Sequence, residues 1–413
     1  MGNTQNKILL LFTSSYPYGV GEQFIETEID FLSKAFKEVH IYPISTEGTK
    51  RKLPHNVIVK GVQLYGSYSR INLWLRRGFR ILSLYKRQLH LTRHRDKYSG
   101  RHWNQFNFLS HRVADAEKVA EVLNTYSAAS VVVYSYWFNV WAMALLLAKE
   151  FGMIKNPILT RAHGGDLDEN QKKQKYFPFR SLEIELIDKV VSVSEFGRTL
   201  LKDAYPNKAE KFFVSRLGVN DNGLNPEGSG KRFRVVTCSF VYGLKRLHLV
   251  ADILEQTGLE IEWIHFGDGE LMEELRQRCT LLPPRISTVF RGLVPNHVVL
   301  SFYSSEHVDL FMNVSELEGI PVSIMEAISF GIPVTGCRVC GVPEIVTERT
   351  GFLFEKDIDI ARAASDIREY LTQSEAYRLK FRNQVRSFWN EEFNASVNYN
   401  RFIDTHLNVS SVI

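Results

Sequence analysis

Cysteine is scarce. The 413 residues hold four, Cys238, Cys279, Cys337 and Cys340. So few, so unevenly spaced, exclude a disulfide-built scaffold and fit a reducing compartment. Cys337 and Cys340 form a C-x-x-C, but no second pair lies near enough to complete a zinc site, which leaves a redox pair as the alternative. Glycine and proline, at 26 and 13, are ordinary, which excludes collagen-like and low-complexity classes. No targeting segment stands out. Ile8 to Phe12 is apolar but far shorter than a signal-peptide core. The start Met1-Gly2-Asn3-Thr4-Gln5-Asn6 lacks the sixth-position serine or threonine of a myristoylation signal. The expected location is the cytoplasm, with peripheral attachment to the inner face of a membrane as an option.

Charge is missing altogether from Ala128 to Ala148, a stretch long enough to cross a bilayer. Its interior argues otherwise. Val131-Val132-Val133-Tyr134 is β-branched and aromatic, Trp141 to Leu147 is rich in helix formers, and Ser135 and Asn139 separate them. That pattern predicts a buried strand followed by a helix. Acid is nearly missing from Arg70 to Arg101, where Asp96 stands alone among Arg76, Arg77, Arg80, Lys86, Arg87, Arg93, Arg95 and Lys97. Leu73, Trp74, Leu75, Phe79, Ile81, Leu82, Leu84 and Tyr85 interleave with these cations. Such a stretch suits contact with an anionic lipid surface; the plainer alternative is a solvated helical insertion. No nucleic-acid module accompanies it, so nucleic acid is not an expected partner.

What is present is ordinary globular material: 44% hydrophobic, 23% charged, net charge +5. The length suits two domains. Short apolar strands alternate with helical stretches. Lys7 to Phe12 reads as strand, Glu22 to Phe36 as amphipathic helix and Val39 to Pro43 as strand; Val131 to Tyr134, Ile158 to Arg161 and Lys189 to Ser192 follow as strands. The Gly-, Asn- and Pro-rich stretch Asn220 to Gly230 reads as a linker. Beyond it the alternation restarts, with strands at 233–238, 261–266, 288–291, 308–313 and 333–337, and helices at 247–256, 270–279 and 322–330. The reading is an α/β chain of two Rossmann-like domains with parallel sheets facing across a cleft. The expected boundaries are 1–216, 217–385 and a C-terminal helix, 386–413, crossing back to the first domain. Ligands in such sheets sit at the carboxyl ends of the strands.

The segment Asp309 to Gly331 carries the chemistry. An apolar strand ends in a polar turn holding Glu318 and Gly319, and a helix begins near Ile320-Pro321. Gly319 lets backbone approach a ligand closely, and a proline suits a first helical turn. Free N–H groups at that helix start favour an anion such as a diphosphate. Glu318 and Glu326 then flank the anion, each able to take hydrogen bonds from a polyol. The plainer alternative is one loop acid and one solvated helix acid.

This segment resembles the E-x7-E donor motif of retaining GT-B glycosyltransferases, in particular glycosyltransferase family 4. Gly331-Ile332-Pro333-Val334, Gly341-Val342-Pro343-Glu344-Ile345-Val346 and Gly351-Phe352-Leu353 follow in matching order. The resemblance implies a hexosyl-type transferase using a nucleoside-diphosphate sugar. Its expected acceptor is a glycan or lipid-linked glycan of surface polysaccharide or glycolipid synthesis. It implies that Glu318 contacts the donor sugar, Glu326 the ribose, and Gly319, Ile320, Pro321 and Val322 the diphosphate. Lys245 aligns with the phosphate-binding lysine. Phe240 stands where the family has an arginine, so one positive charge is either missing or replaced by Arg246. Gly267 resembles a residue of the glycine turn near the nucleotide, and Leu293 and Val294 the segment that receives the base. His163 resembles the family histidine that meets the donor sugar, and Gly19, Val20, Gly21 and Glu22 form the loop that positions acceptor and phosphate. Asp166/Asp168 and Asp357/Asp359 are D-x-D pairs in the wrong context for a metal-dependent enzyme, so no cofactor or essential metal is expected. A silent nucleotide-sugar binder, or a GT-B epimerase or phosphorylase, would use the same donor motif.

Overall fold

The computed structural model describes residues 4–19, 21–61, 70–92, 102–167, 177–228 and 232–408. The chain divides into two compact units, Met1–Ser215 with Tyr399–Ile413, and Arg216–Asn398.

The first unit runs β1 (Ile8–Thr13), α1 (Ile25–Ala35), β2 (Glu38–Pro43), β3 (Val57–Val59), α2 (Arg70–Thr92), α3 (His102–Leu123), β4 (Val131–Ser135) and α4 (Val140–Glu150). It continues with β5 (Ile158–Ala162), α5 (Gly164–Leu167), α6 (Arg180–Leu186), β6 (Lys189–Ser192), α7 (Glu195–Ala204) and β7 (Phe212–Val214). Its seven strands pair in the order β3-β2-β1-β4-β5-β6-β7, all parallel. The central strands are continuous apolar runs because helices cover both faces. Leu10 and Phe12 of β1 join one core cluster, Leu9 and Leu11 the other.

The uncharged Ala128–Ala148 stretch is a strand and a helix. Trp141 to Ala148 are all buried, so the lack of charge reflects burial in protein. The Asn139 side chain accepts the Trp141 N–H at 3.2 Å and caps α4. Among the described residues no helix is long and apolar enough to cross a membrane.

The second unit runs β8 (Phe233–Cys238), α8 (Leu247–Thr257), β9 (Ile261–Phe266), α9 (Met272–Thr280), β10 (Ile286–Phe290), α10 (Asn296–Ser305), β11 (Leu310–Phe311) and α11 (Val322–Ser329). Then follow β12 (Val334–Cys337), β13 (Gly351–Phe354), α12 (Ile360–Leu371), α13 (Glu375–Glu392) and α14 (Ala395–Phe402). Its sheet order is β10-β9-β8-β11-β12-β13, again all parallel. Both sheets therefore have the Rossmann order, with a switch point between β1 and β4 in one and between β8 and β11 in the other. Strand β11 is shorter than its apolar run suggests. The Asn313 side chain accepts the Ser315 N–H at 2.9 Å, and the Asn313 N–H donates to Thr335 Oγ1 at 3.3 Å. Side chains thus take over the backbone and turn it out of the sheet.

The last helical stretch is not continuous. Asn394 breaks it, its side chain accepting the Ser396 N–H at 2.9 Å. Beyond the break, Phe402, Ile403 and Leu407 enter the first unit's core beside Leu9, Ile29 and Tyr134. Arg161, fully buried, holds Glu28 at 2.6 Å and lies 4.2 Å from the Phe402 ring centroid. The returning segment thus covers a buried ion pair that would be costly to expose unmatched.

Candidate active site

In the second unit the loops at the β8–β11 switch point are stitched together. The Ser239 N–H donates to Phe266 O, Val241 N–H to Asp268 O, Gly267 N–H to Gly292 O and Glu316 N–H to Leu244 O. Gly267 holds φ +140°, and a Cβ there would fall 1.8 Å from the Ser239 carbonyl oxygen. Its glycine is therefore demanded by close backbone packing. The Gly341 N–H donates to Gly319 O at 3.1 Å, which fixes the turn ahead of α11.

That turn brings the expected charges together. Lys245 Nζ lies 2.5 Å from Glu318 Oε1, with side chains only 15% and 14% exposed. Asn313 Nδ2 donates to the same oxygen at 3.3 Å. Helix α11 begins at Val322, and Pro321, with φ −70° and ψ 122°, is its cap rather than its first residue. The Ile324 and Met325 N–H groups donate to Pro321 O. Those of Gly319, Ile320, Val322 and Ser323 find no partner among the described residues. Four free amides beside an ammonium group make an anion site.

Glu326 sits in the second turn of α11 and is buried. Burial pushes its carboxyl up to about 7, against the 2.8 Å hydrogen bond from Asn296 Nδ2, which lowers it. Asn296 opens α10 directly after the Leu293-Val294 turn, so the expected base-receiving segment and the expected ribose acid are joined through it. Leu293 itself is exposed.

The Arg246 side chain is turned to the fold. Its residue adopts φ 49°, ψ 38°, and its guanidinium donates to Val314 O at 2.8 Å, Lys356 O at 2.7 Å and Cys337 Sγ at 3.3 Å. All three nitrogens bind the fold. The same contact places Cys337 against a cation, while burial holds its thiol up at about 11. Phe240 is half exposed and stacks on Tyr242, ring centroids 6.3 Å apart. Asp359 caps α12 by accepting the Arg362 N–H at 3.0 Å. Among the described residues no group of His, Cys, Asp or Glu could hold a metal ion.

In the first unit, loops after β1, β4 and β5 meet at the other switch point. His163 is buried against Trp137 at 4.4 Å, Tyr136 at 5.2 Å and Phe24 at 5.6 Å between ring centroids. Neither ring nitrogen has a hydrogen-bond partner among the described residues; Asp166 Oδ2, at 3.6 Å from Nδ1, is beyond reach. A buried imidazole left this way is costly unless a ligand completes it. Asp166 instead accepts the His163 N–H at 3.2 Å.

Glu22 plays a different part from the one expected. Its carboxylate accepts the N–H groups of Ser14, Ser15 and Tyr16 at 3.1, 2.6 and 2.6 Å, and the Trp137 indole N–H. The amides of Ser14, Ser15 and Tyr16 are thus filled by the protein's own anion, and the Gly19 N–H donates to Thr49 O at 3.2 Å. Gly19, at φ +67°, and Gly21 turn their carbonyls to Arg51 Nη2, at 2.8 and 2.5 Å. Val20 and Asp168 lie outside the described residues.

Comparison with known proteins agrees with this architecture. The structure is similar to the lipopolysaccharide outer core galactosyltransferase WaaB, with TM-score 0.68, 14% identity, and 96% and 99% of the two chains covered. It is similar to Anabaena HepE in complex with UDP, with TM-score 0.67, 16% identity and coverage of 98% and 100%. The fold is GT-B. Residues 232–388 match the family model of Glycosyl transferases group 1, a span that includes Lys245, Glu318 and Glu326. Among curated proteins the chain is similar to WcaL of Escherichia coli K12, a glycosyltransferase assigned to colanic acid biosynthesis. The two are 27% identical over 218 residues, 50% of this chain and 53% of WcaL. The chain thus spans about half the length of the curated relatives it matches.

Sequence reading missed Asn296, Asn313 and Arg51, which hold Glu326, Glu318 and the Gly19–Gly21 loop. It also missed the aromatic wall of Phe24, Tyr136 and Trp137 around His163. The signal for Asn296 was faint, an amide two residues past the expected base-receiving pair. The aromatics gave none, since they come from two different loops.

Proposed function

We propose that this GT-B protein is a retaining, hexosyl-type transferase of glycosyltransferase family 4. It moves a sugar from a nucleoside-diphosphate donor to a hydroxyl of a glycan or lipid-linked glycan. The carrying observation is the Lys245–Glu318 ion pair beside the four free amides before and within the first turn of α11. The complexes of HepE with UDP and with UDP-glucose support the donor class.

In this reading the two charges exchange partners when donor arrives. The diphosphate takes Lys245 and the amides; the sugar hydroxyls take Glu318. As the glycosidic bond breaks, positive charge develops on the anomeric carbon and negative charge on the leaving diphosphate. Fixed amides and an ammonium group stabilise that charge without reorganising, and no metal ion is needed for it. Glu326 accepts hydrogen bonds from the ribose diol. No nucleophilic carboxylate is required, since the departing phosphate can take the acceptor proton on the same face.

The test is nucleotide release. Release that depends on added acceptor, lost in Lys245→Ala and Glu318→Ala while the fold is retained, supports transfer. Tight nucleotide binding with no acceptor-dependent release would make the protein a silent binder. Inversion of the anomeric configuration in the product would remove the retaining assignment.

A further inference from the structure

Helix α2 holds three large apolar side chains wholly or partly in water. Its inner side is well seated: Ile81 and Leu84 join the core with Leu109 and Val113 of α3, and Gln88 Oε1 accepts the Leu182 N–H at 3.1 Å. On the other side Phe79 is 93% exposed, Leu82 40% and Leu89 38%. With Lys86, these positions step by three, four and three residues, so they form one stripe along the helix.

The charges sort in the same way. Arg77 is held by Glu117 at 3.0 Å, and Arg87 by Glu150 and Glu185 at 2.7 and 2.8 Å. These cations tie the helix to its unit. Lys86 is exposed and forms no ion pair among the described residues, and Arg80 is exposed beside Phe79, donating to the Phe151 carbonyl at 3.2 Å with its guanidinium 5.3 Å from the Phe151 ring centroid. The helix has no Asp or Glu anywhere in Arg70–Thr92.

We propose that the Phe79–Leu82–Leu89 stripe, with Arg80 and Lys86, seats the protein on a bilayer surface bearing anionic headgroups. An apolar stripe with cations beside it suits the interface, where rings and alkyl chains enter the acyl boundary and ammonium groups meet phosphate. A second copy of the chain fits worse. A two-fold contact would set Arg80 and Lys86 against their own counterparts, with no acid on the helix to offset them. The inference does not depend on which sugar is transferred.

Sedimentation of the full chain with vesicles tests it. The wild type should pellet with vesicles containing about one-third phosphatidylglycerol, less so at high salt, and stay in solution with pure phosphatidylcholine. Phe79→Ser/Leu82→Ser/Leu89→Ser should lower the bound fraction about tenfold, as should Lys86→Glu alone. Lys86→Glu keeps the wild-type thermal midpoint, since its side chain is already in water. Should the triple variant misfold, Lys86→Glu decides. Wild type that ignores anionic vesicles, or variants that pellet like it, would overturn the proposal. So would variants that change the oligomeric mass while no form binds vesicles, which would make the stripe a contact between chains.

Discussion

Replacing Glu318 with glutamine should separate binding from transfer. In the free protein its carboxylate holds Lys245 at 2.5 Å in a site about one-seventh exposed on each side. Such a pair is neither in bulk water nor dry, and its attraction is worth about 1–3 kcal/mol. A nucleoside diphosphate must break it to reach Lys245, and must then sit close to the remaining carboxylate. Glutamine removes both costs and keeps the shape, and its carbonyl can still accept from Asn313. Binding of the bare nucleoside diphosphate should therefore tighten by about five- to hundredfold. Transfer should fall at least about hundredfold, because the charge that orients the sugar is gone. Isothermal titration with UDP and other nucleoside diphosphates reads the first effect, and acceptor-dependent nucleotide release the second. Weaker diphosphate binding in Glu318→Gln, or transfer at the wild-type rate, would refute the exchange of partners.

Four other outcomes follow from the geometry. Burial lifts the Glu326 carboxyl from its ordinary 4.5 to about 7, so the folded state binds the proton more tightly than the unfolded. Its contribution to stability is full below about pH 4.5 and is lost as pH rises through 7; Glu326→Gln should flatten the melting profile across that window by up to about 3 kcal/mol. Ribonucleotide affinity should rise over the same range in the wild type and not in the variant, as titrations at pH 6 and 8 would read. Arg246→Ala should destabilise the second unit by about 1–3 kcal/mol in urea melts, by orphaning the part-buried Val314 carbonyl; a drop in activity at unchanged stability would contradict its structural assignment. Glu22→Ala strips the partner from three backbone amides and the Trp137 indole. About 3 kcal/mol of stability should be lost, with faster hydrogen exchange at Ser14, Ser15 and Tyr16.

Much of the second unit was legible because it is local. The E-x7-E spacing, the glycine before the helix and the apolar run from 233 to 238 lie within a few turns of chain. Periodicities of two and 3.6 residues report which face of an element is buried, whatever surrounds it. The same local reading divided Ala128–Ala148 correctly, since β-branched residues and helix formers occupy separate halves of it.

Arg246 and Glu22 show where that reading stops. Each has the residue type that an anion or phosphate site wants, at a fitting place in the sequence. Whether a charge faces a ligand or the fold depends on carbonyls and amides brought in by other strands. Val314 and Lys356 reach Arg246 across 68 and 110 residues, and Trp137 reaches Glu22 across 115. The aromatic wall around His163 arises in the same way, from loops that only the order β1-β4-β5 makes neighbours. Sequence alone determined two parallel α/β units and a helix start flanked by acids. The tertiary structure decided which charges are free, because hydrogen-bond partners are assigned by strand order, and strand order is not written in any local window.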